Sequence, residues 1–291
     1  MKKYLLARME SFMPTFSKGQ RAIAKYIEEH YDKAAFMTAS KLGATVGVSE
    51  STVVRFATEV GYEGYPELQK AMQEMIRSKL TSVQRMEVTS NRIGNADVLD
   101  SVLNQDIDKI RRTMEEISHE EFYNAVDSIV NARKIYILAT RSSAAIGGFL
   151  EYYFNLIFEG VSLVNTTSET EIYEQMMRIG KEDAVIGISF PRYSKMAVKA
   201  LRFASDRGAK VIALTDSMDS PLVPPSNHVL LARSDMASIV DSLVAPLSVV
   251  NALIVAIALR KKQEVIATFD QLEQIWDEYE VYEKVEENMI E

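Results

Sequence analysis

The stretch A-S-K-L-G-A-T-V-G-V-S-E-S-T-V-V-R-F-A-T-E-V, Ala39 to Val60, decides how the rest of the chain is read. Its apolar residues Leu42, Val46, Val48, Val53 and Phe56 suit two short helices better than one long one, with Gly47 at the break. Gly47 can take the positive φ of a tight turn, and Gly43, lacking a side chain, lets the second helix approach the first. Ser49 is placed to cap that second helix. The helix then divides into an apolar face of Val53, Phe56, Ala57 and Val60 and a polar face of Ser51, Arg55 and Thr58. A helix-turn-helix is predicted. In such a pair the N-terminal residues of the second helix enter the DNA major groove, so Ser49, Glu50, Ser51, Thr52 and Arg55 are the expected DNA-binding residues. Arg55 can bond a guanine edge bidentately. The same spacing also serves a plain helical hairpin in which Arg55 is a solvated surface charge.

Outward from this segment, residues 1–80 read as short helices without strand-like alternation. Ser17 and Gln20 form an S-x-x-Q capping box ahead of Ile23 and Ile27. This part holds 12 Lys and Arg against 9 Asp and Glu, a net +3, and leaves 21 against 32, a net −11, to the remainder. A mildly basic head on an acidic body suits a head that meets phosphate. Residues 81–96 are polar and turn-rich and are expected to be a linker between residues 1–80 and residues 97–291. Beyond it, Leu99, Leu103, Ile107, Ile110, Met114 and Ile117 recur at spacings of 4, 4, 3, 4 and 3, a helix with one apolar stripe.

After Ser118, which opens an S-x-x-E box with Glu121, short apolar runs alternate with helical periods. Strands are expected at Ile135 to Ala139, Val161 to Asn165, Ala184 to Ser189, Val211 to Thr215 and His228 to Ala232. Helices are expected between them at Ala144 to Phe158, Glu169 to Ile179 and Ser194 to Asp206. The fold class is therefore α/β: an N-terminal all-helical helix-turn-helix domain followed by a doubly wound, five-stranded parallel sheet of flavodoxin-like 2-1-3-4-5 order. Leu243 to Leu259 is apolar, but its 17 residues fall short of the roughly 20 needed to span a bilayer and include Pro246, Ser248 and Asn251, so a buried or interface helix is expected. From Val265 to Met289 an acidic amphipathic helix is expected to pack on another element or subunit, its stripe being Val265, Phe269, Leu272, Trp276 and Tyr279.

Composition narrows the chemistry. Cysteine is absent, which excludes disulfides, thiolate nucleophiles and cysteine-bound metal, and fits a cytoplasmic address. The three histidines His30, His119 and His228 lack metal-site spacing, so neither metal nor other cofactor is expected. The start, Lys2-Lys3 followed by Tyr4 to Ala7 and then Arg8, does not make a signal peptide.

The stretch from Ser17 to Met72, and above all V-S-E-S-T-V-V-R-F-A-T-E-V-G-Y-E-G-Y-P-E-L-Q from Val48 to Gln69, resembles the N-terminal domain of RpiR/MurR-type transcriptional regulators. The S-x-x-T-V-x-R-F core and the segment Gly61, Tyr62, Gly64, Tyr65 carry the likeness. The family joins this head to a sugar isomerase (SIS) domain with a five-stranded parallel sheet. The resemblance implies a regulator that binds operator DNA and senses a small anionic effector, a sugar phosphate or sugar acid; the symmetry of paired recognition helices adds the expectation of a homodimer or homotetramer, and the short apolar runs that of no membrane partner.

Two loops are expected to meet where open α/β sheets bind ligands. One is Ala139-Thr140-Arg141-Ser142-Ser143, in the place of the family's G-x-G-x-S. The other is Ser189-Phe190-Pro191-Arg192-Tyr193-Ser194, in the place of its S-x-S-G-x-T. Arg141, Ser142, Ser143, Ser189, Arg192, Tyr193 and Ser194 are the expected ligand-binding residues. Ala139 and Arg141 replace two glycines, and Pro191 and Arg192 replace Ser-Gly, which shifts the work from backbone N–H groups to arginine side chains. Alternatively, both arginines form structural ion pairs. Thr215 to Leu222 also resembles a SIS segment. A SIS-type isomerase with an accessory helical domain is the competing reading; Glu169, Glu171 or His119 can be nominated as its base by residue type alone, and their spacing singles none of them out. A third reading leaves the body an oligomerisation module.

Overall fold

A computed structural model describes residues 2–76, 86, 97–234 and 240–282. It divides into two compact units, one of Met1–Val102 with Met236–Asp241 and one of Leu103–Asp235 with Ser242–Glu291. The expected linker at 81–96 lies outside the described residues, Met86 apart.

The first unit holds α1 (Lys2–Phe12), α2 (Lys18–Ala34), α3 (Ala39–Val46), α4 (Glu50–Glu59) and α5 (Tyr65–Ile76). The capping box forms in full: Gln20 N donates to Ser17 Oγ, and Ser17 N donates to Gln20 Oε1 at 2.8 Å. Satisfying the free N–H groups at the start of α2 fixes where the helix begins. Ile23, Ile27, Leu42, Val53, Phe56 and Leu68 close a core that excludes water completely. Tyr65 is buried beside it and donates from Oη to the Met37 carbonyl at 2.8 Å; burial pushes its pKa up to about 12.

The second unit is built on a parallel sheet of order β2-β1-β3-β4-β5, with β1 at Ile135–Ala139, β2 at Val161–Val164, β3 at Ala184–Ile188, β4 at Lys210–Thr215 and β5 at His228–Leu231. Three strands end one residue sooner than the sequence suggests, and β4 starts one residue earlier. Alternate residues feed the two faces. Ile135, Ile137, Ile186 and Ile212 point into a core closed by α7 (His119–Val130), α8 (Ala144–Asn155) and α11 (Val244–Arg260). Tyr136, Leu138, Val185 and Val211 point into the other, with α9 (Glu169–Met176) and α10 (Lys195–Asp206). His228 ties the edge strand to α7, its Nε2 3.0 Å from Ser128 Oγ and its Nδ1 3.3 Å from Glu121 Oε2.

The apolar run from Leu243 to Leu259 becomes α11 and contributes Val249, Val250, Leu253 and Ile257 to the core. Among the described residues no single helix is long and apolar enough to cross a membrane; α11 and α12 (Lys262–Glu278) qualify only together, and they are bent by 98°. The expected C-terminal helix is thus present as α12, but none of its residues is buried within this chain. It stops at Glu278, short of the expected Met289, because Tyr279 closes it and Glu280 turns away at φ 50°; residues 283–291 lie outside those described.

Helix α6 (Val98–Glu116) carries the predicted stripe on an unexpected side. Lys109 and Thr113 are buried, Lys109 Nζ lying 2.9 Å from Asp106 and Thr113 Oγ1 accepting from Arg233 N at 2.9 Å. Ser242 Oγ also donates to Asp106, at 2.7 Å. Leu103, Ile107 and Met114 are exposed. Periodicity identifies a stripe but not what it faces, and here the polar side turns inward.

Candidate functional site

In the first unit the candidate surface is the N-terminal half of α4. Gly47 has φ 76° and ends α3, its N–H donating to the Gly43 carbonyl. A Cβ on Gly43 would lie 2.8 Å from the Val48 carbonyl oxygen. Ser49 caps α4 by accepting from Thr52 N at 3.3 Å. Val53, Phe56, Ala57 and Val60 are fully buried, so one side of α4 is committed to the core. Ser49, Glu50, Ser51 and Arg55 stand exposed, with Thr52 half-buried. The Ser49 hydroxyl sits 2.9 Å from that of Ser51 and 2.8 Å from that of Thr52, so the three form one linked cluster rather than independent donors. Arg55 Nε donates weakly to the Ser51 carbonyl at 3.4 Å, leaving the rest of the guanidinium to solvent. The sequence reading passed over Val54, which lies 40% exposed beside Arg55 and offers methyl groups to the same side.

In the second unit Ala139 and Ile188 are register partners on adjacent strands, so the loops that follow them leave the carboxyl edge of the sheet side by side. The second loop is well anchored. Ser194 N donates to Ser189 Oγ at 3.3 Å, and Ser194 Oγ caps α10 by accepting from Ala197 N at 3.3 Å. Tyr193 Oη donates to Asp216 Oδ1 at 2.8 Å. Thr215 Oγ1 reaches both the Ser189 carbonyl, at 2.9 Å, and Ser220 Oγ, at 2.8 Å. Thr215, Asp216 and Ser220 are buried, and this third loop was legible only as a resembling segment, without roles for its residues. Ser143 and Ser189 are buried, while Arg141, Ser142 and Arg192 are exposed and Tyr193 and Ser194 half-buried.

Arg141 has φ 58° and Arg192 φ 66°. Both hold the left-handed backbone that glycine adopts freely and that costs other L-residues about 1–2 kcal/mol. Both positions where the resemblance puts a glycine therefore hold a backbone that suits one. Among the described residues neither guanidinium makes an ion pair or hydrogen bond, which removes the structural ion-pair reading. The candidate bases are not assembled into a catalytic group. Glu169 pairs with Lys199 at 2.6 Å, and that hydrogen bond, followed by the carboxylate charge, raises the Lys199 pKa. Glu171 accepts from Thr166. His119 belongs to α7, whereas Glu169 and Glu171 head α9, the helices lying on opposite faces of the sheet.

Residues 3–79 match the helix-turn-helix domain of the rpiR family, and residues 128–256 match the SIS domain. The chain is an RpiR-type helix-turn-helix regulator with a SIS domain. An uncharacterized HTH-type transcriptional regulator of Clostridium perfringens is 23% identical to this RpiR-type chain over 231 residues, 79% of this chain and 82% of the relative. The sugar isomerase domain of an RpiR transcription factor from Sphaerobacter thermophilus superposes with TM-score 0.58 at 28% identity, covering 61% of this chain and 98% of that one. The Vibrio vulnificus NanR protein complexed with ManNAc-6P shares the fold with TM-score 0.57 at 22% identity, over 94% and 98% of the two chains.

Proposed function

We propose that this RpiR-type protein is a cytoplasmic, homodimeric or homotetrameric regulator that reads operator DNA through Ser49, Glu50, Ser51, Thr52 and Arg55, with Val54 beside them. The observation that carries the reading is the division of α4 into a wholly buried apolar side and an exposed polar side that begins at a capped N-terminus. That is the geometry by which a recognition helix presents its first residues to base edges. Paired recognition helices then read half-sites about one helical turn, or a multiple of it, apart.

The second unit senses a small anionic metabolite, a sugar phosphate or sugar acid, at Arg141, Ser142, Ser143, Ser189, Arg192, Tyr193 and Ser194. Two guanidiniums that find no partner among the described residues, on neighbouring loops, support this, as does the sugar phosphate held by NanR. The chain acts as a regulator and not as an isomerase, since the candidate bases are held apart or already paired. Selection of binding sites from random DNA tests the first half of the reading: recovery of a two-fold-related sequence is expected, and no sequence preference would overturn it. Titration with a panel of sugar phosphates and sugar acids, followed by operator binding and by turnover, tests the second. A ligand that shifts operator affinity without being converted is expected; steady turnover would favour the isomerase.

A further inference from the structure

Among the described residues, two apolar surfaces of the second unit are left largely uncovered. One is the outer side of α6 together with a cleft of about 380 Å³ among α6, α7 and α11, lined by Ile110, Met114, Ile117, Tyr123, Ala245 and Val249. Leu103, Ile107 and Met114 extend it at 52%, 52% and 71% exposure. The other is α12, 17 residues long with none of them buried; Ile266, Phe269 and Ile275 stand exposed on it and Val265, Leu272 and Trp276 half-buried. Their spacings agree. On α6, Leu103, Ile107, Ile110 and Met114 recur at 4, 3 and 4 and run on to Ile117 just past its end, and on α12, Val265, Phe269, Leu272 and Trp276 recur at 4, 3 and 4 and run on to Tyr279 at its C-cap. Stripes of this period pack helix against helix with axes about 20° apart.

The cleft is out of reach of the α12 that follows it in the same chain. Ala245 to Ala252, which line it, precede Arg260 at the end of α11 by about 12–22 Å along the helix axis, at 1.5 Å per residue. Because α12 leaves α11 at 98°, it makes almost no return along that axis.

We propose that α12 of one chain lies along α6 of a second copy, seated in its α6–α7–α11 cleft, and that the second copy returns the same contact. This rests on the homo-oligomeric reading and specifies how the copies meet. One exchange covers both bare surfaces, whereas α6 against α6 would leave α12 uncovered. The area comes from seven exposed apolar side chains per exchange: Leu103, Ile107 and Met114 on the receiving side, and Ile266, Phe269, Ile275 and Tyr279 on the arm. Two exchanged arms with their receiving clefts exceed the ~1,000 Å² expected of a specific interface. The arrangement is closed and two-fold, like other exchanges of one element between identical chains.

The test begins with the mass of the full-length protein by light scattering, beside Phe269→Asp in the arm, Met114→Asp in the cleft, and Met177→Asp as an exposed control at the end of α9. Wild type and control are expected at twice the 32.8 kDa of one chain or a higher even multiple. Each of the first two variants is expected to halve that mass while keeping the circular dichroism of the folded chain. Because the chain has no cysteine, mixed disulfides then report the contact directly. Oxidising Met114→Cys chains mixed with Ile266→Cys, Phe269→Cys or Ile275→Cys chains should give a covalent dimer from at least one mixture. Wild type at 32.8 kDa would overturn this inference and the homo-oligomeric reading together. An oligomer that keeps its mass in both aspartate variants and yields no mixed disulfide would overturn the placement of α12 alone.

Discussion

The carbonyl oxygen of Val48 stands 2.8 Å from the point where a Cβ on Gly43 would sit, and that oxygen belongs to backbone that cannot swing aside. Gly43→Val should therefore force α3 and α4 apart and destabilise the helical unit by about 1–3 kcal/mol, the usual cost of overpacking. Chemical denaturation followed through the first unit would register the loss. An unchanged midpoint would mean that the turn tolerates a side chain there.

Arg55→Ala removes an exposed side chain whose one contact is weak, so folding should not change. Operator binding should weaken by about 1–3 kcal/mol, with preference relaxed at one base position, because a bidentate arginine reads a single guanine. Loss of affinity spread evenly over all sequences would instead assign Arg55 to the phosphate backbone.

Tyr65 gives the first unit a pH signature. Its pKa rises from 10.0 to about 12 because burial disfavours the phenolate. The unfolded chain therefore releases this proton first. The contribution is intact below pH about 10 and is lost as pH rises towards about 12. Denaturation midpoints between pH 9 and 12 should fall more steeply for wild type than for Tyr65→Phe, although the variant begins lower for want of the hydrogen bond to Met37.

Arg141→Gly and Arg192→Gly are expected to do two opposite things. Each relieves a left-handed arginine and should stabilise the second unit by about 1 kcal/mol, whereas the corresponding alanine variants keep the strain. Each also removes a charge-assisted hydrogen bond worth roughly 1.5–3 kcal/mol, so affinity for the anionic effector should drop about ten- to a hundredfold. Thermal denaturation and calorimetry on the same samples would read both. A glycine variant that is more stable and binds as well as wild type would move the effector site elsewhere.

His228 joins α7 to the edge strand through Ser128 and Glu121, and His228→Ala should cost about 1–3 kcal/mol through the polar partners left unmatched. Hydrogen exchange would show the opening at β5 and α7 before the central strands β1 and β3 are affected.

Much of this architecture can be read from the sequence because local chemistry and tertiary demand coincide. Ser17 and Gln20 cap a helix wherever the chain carries them, Gly47 has little alternative at a left-handed turn, and the five apolar runs are too short and too continuous for anything but buried parallel strands. The facing of α6 was not readable, since spacing alone does not say that Lys109 and Thr113 find buried partners while Leu103 and Ile107 do not. Nor was the backbone at Arg141 and Arg192. Residue type argues against a positive φ at both, and the fold adopts it regardless, on a hydrogen-bonded loop in the case of Arg192. Val54 and the Thr215–Asp216–Ser220 cluster escaped for a related reason. Their significance comes from which neighbours the fold supplies.

Every arginine codon lies a single base change from a glycine codon. At Arg141 and Arg192, then, a sequence with less backbone strain is one mutation away, twice over, and the chain occupies the more strained neighbour at both positions. Backbone strain of this kind clusters at ligand sites, which fits the effector role proposed for both arginines. The same adjacency makes the trade reversible. Two single steps separate this arginine-bearing pair of loops from a glycine-bearing one, with less backbone strain in one direction and more charge in the other.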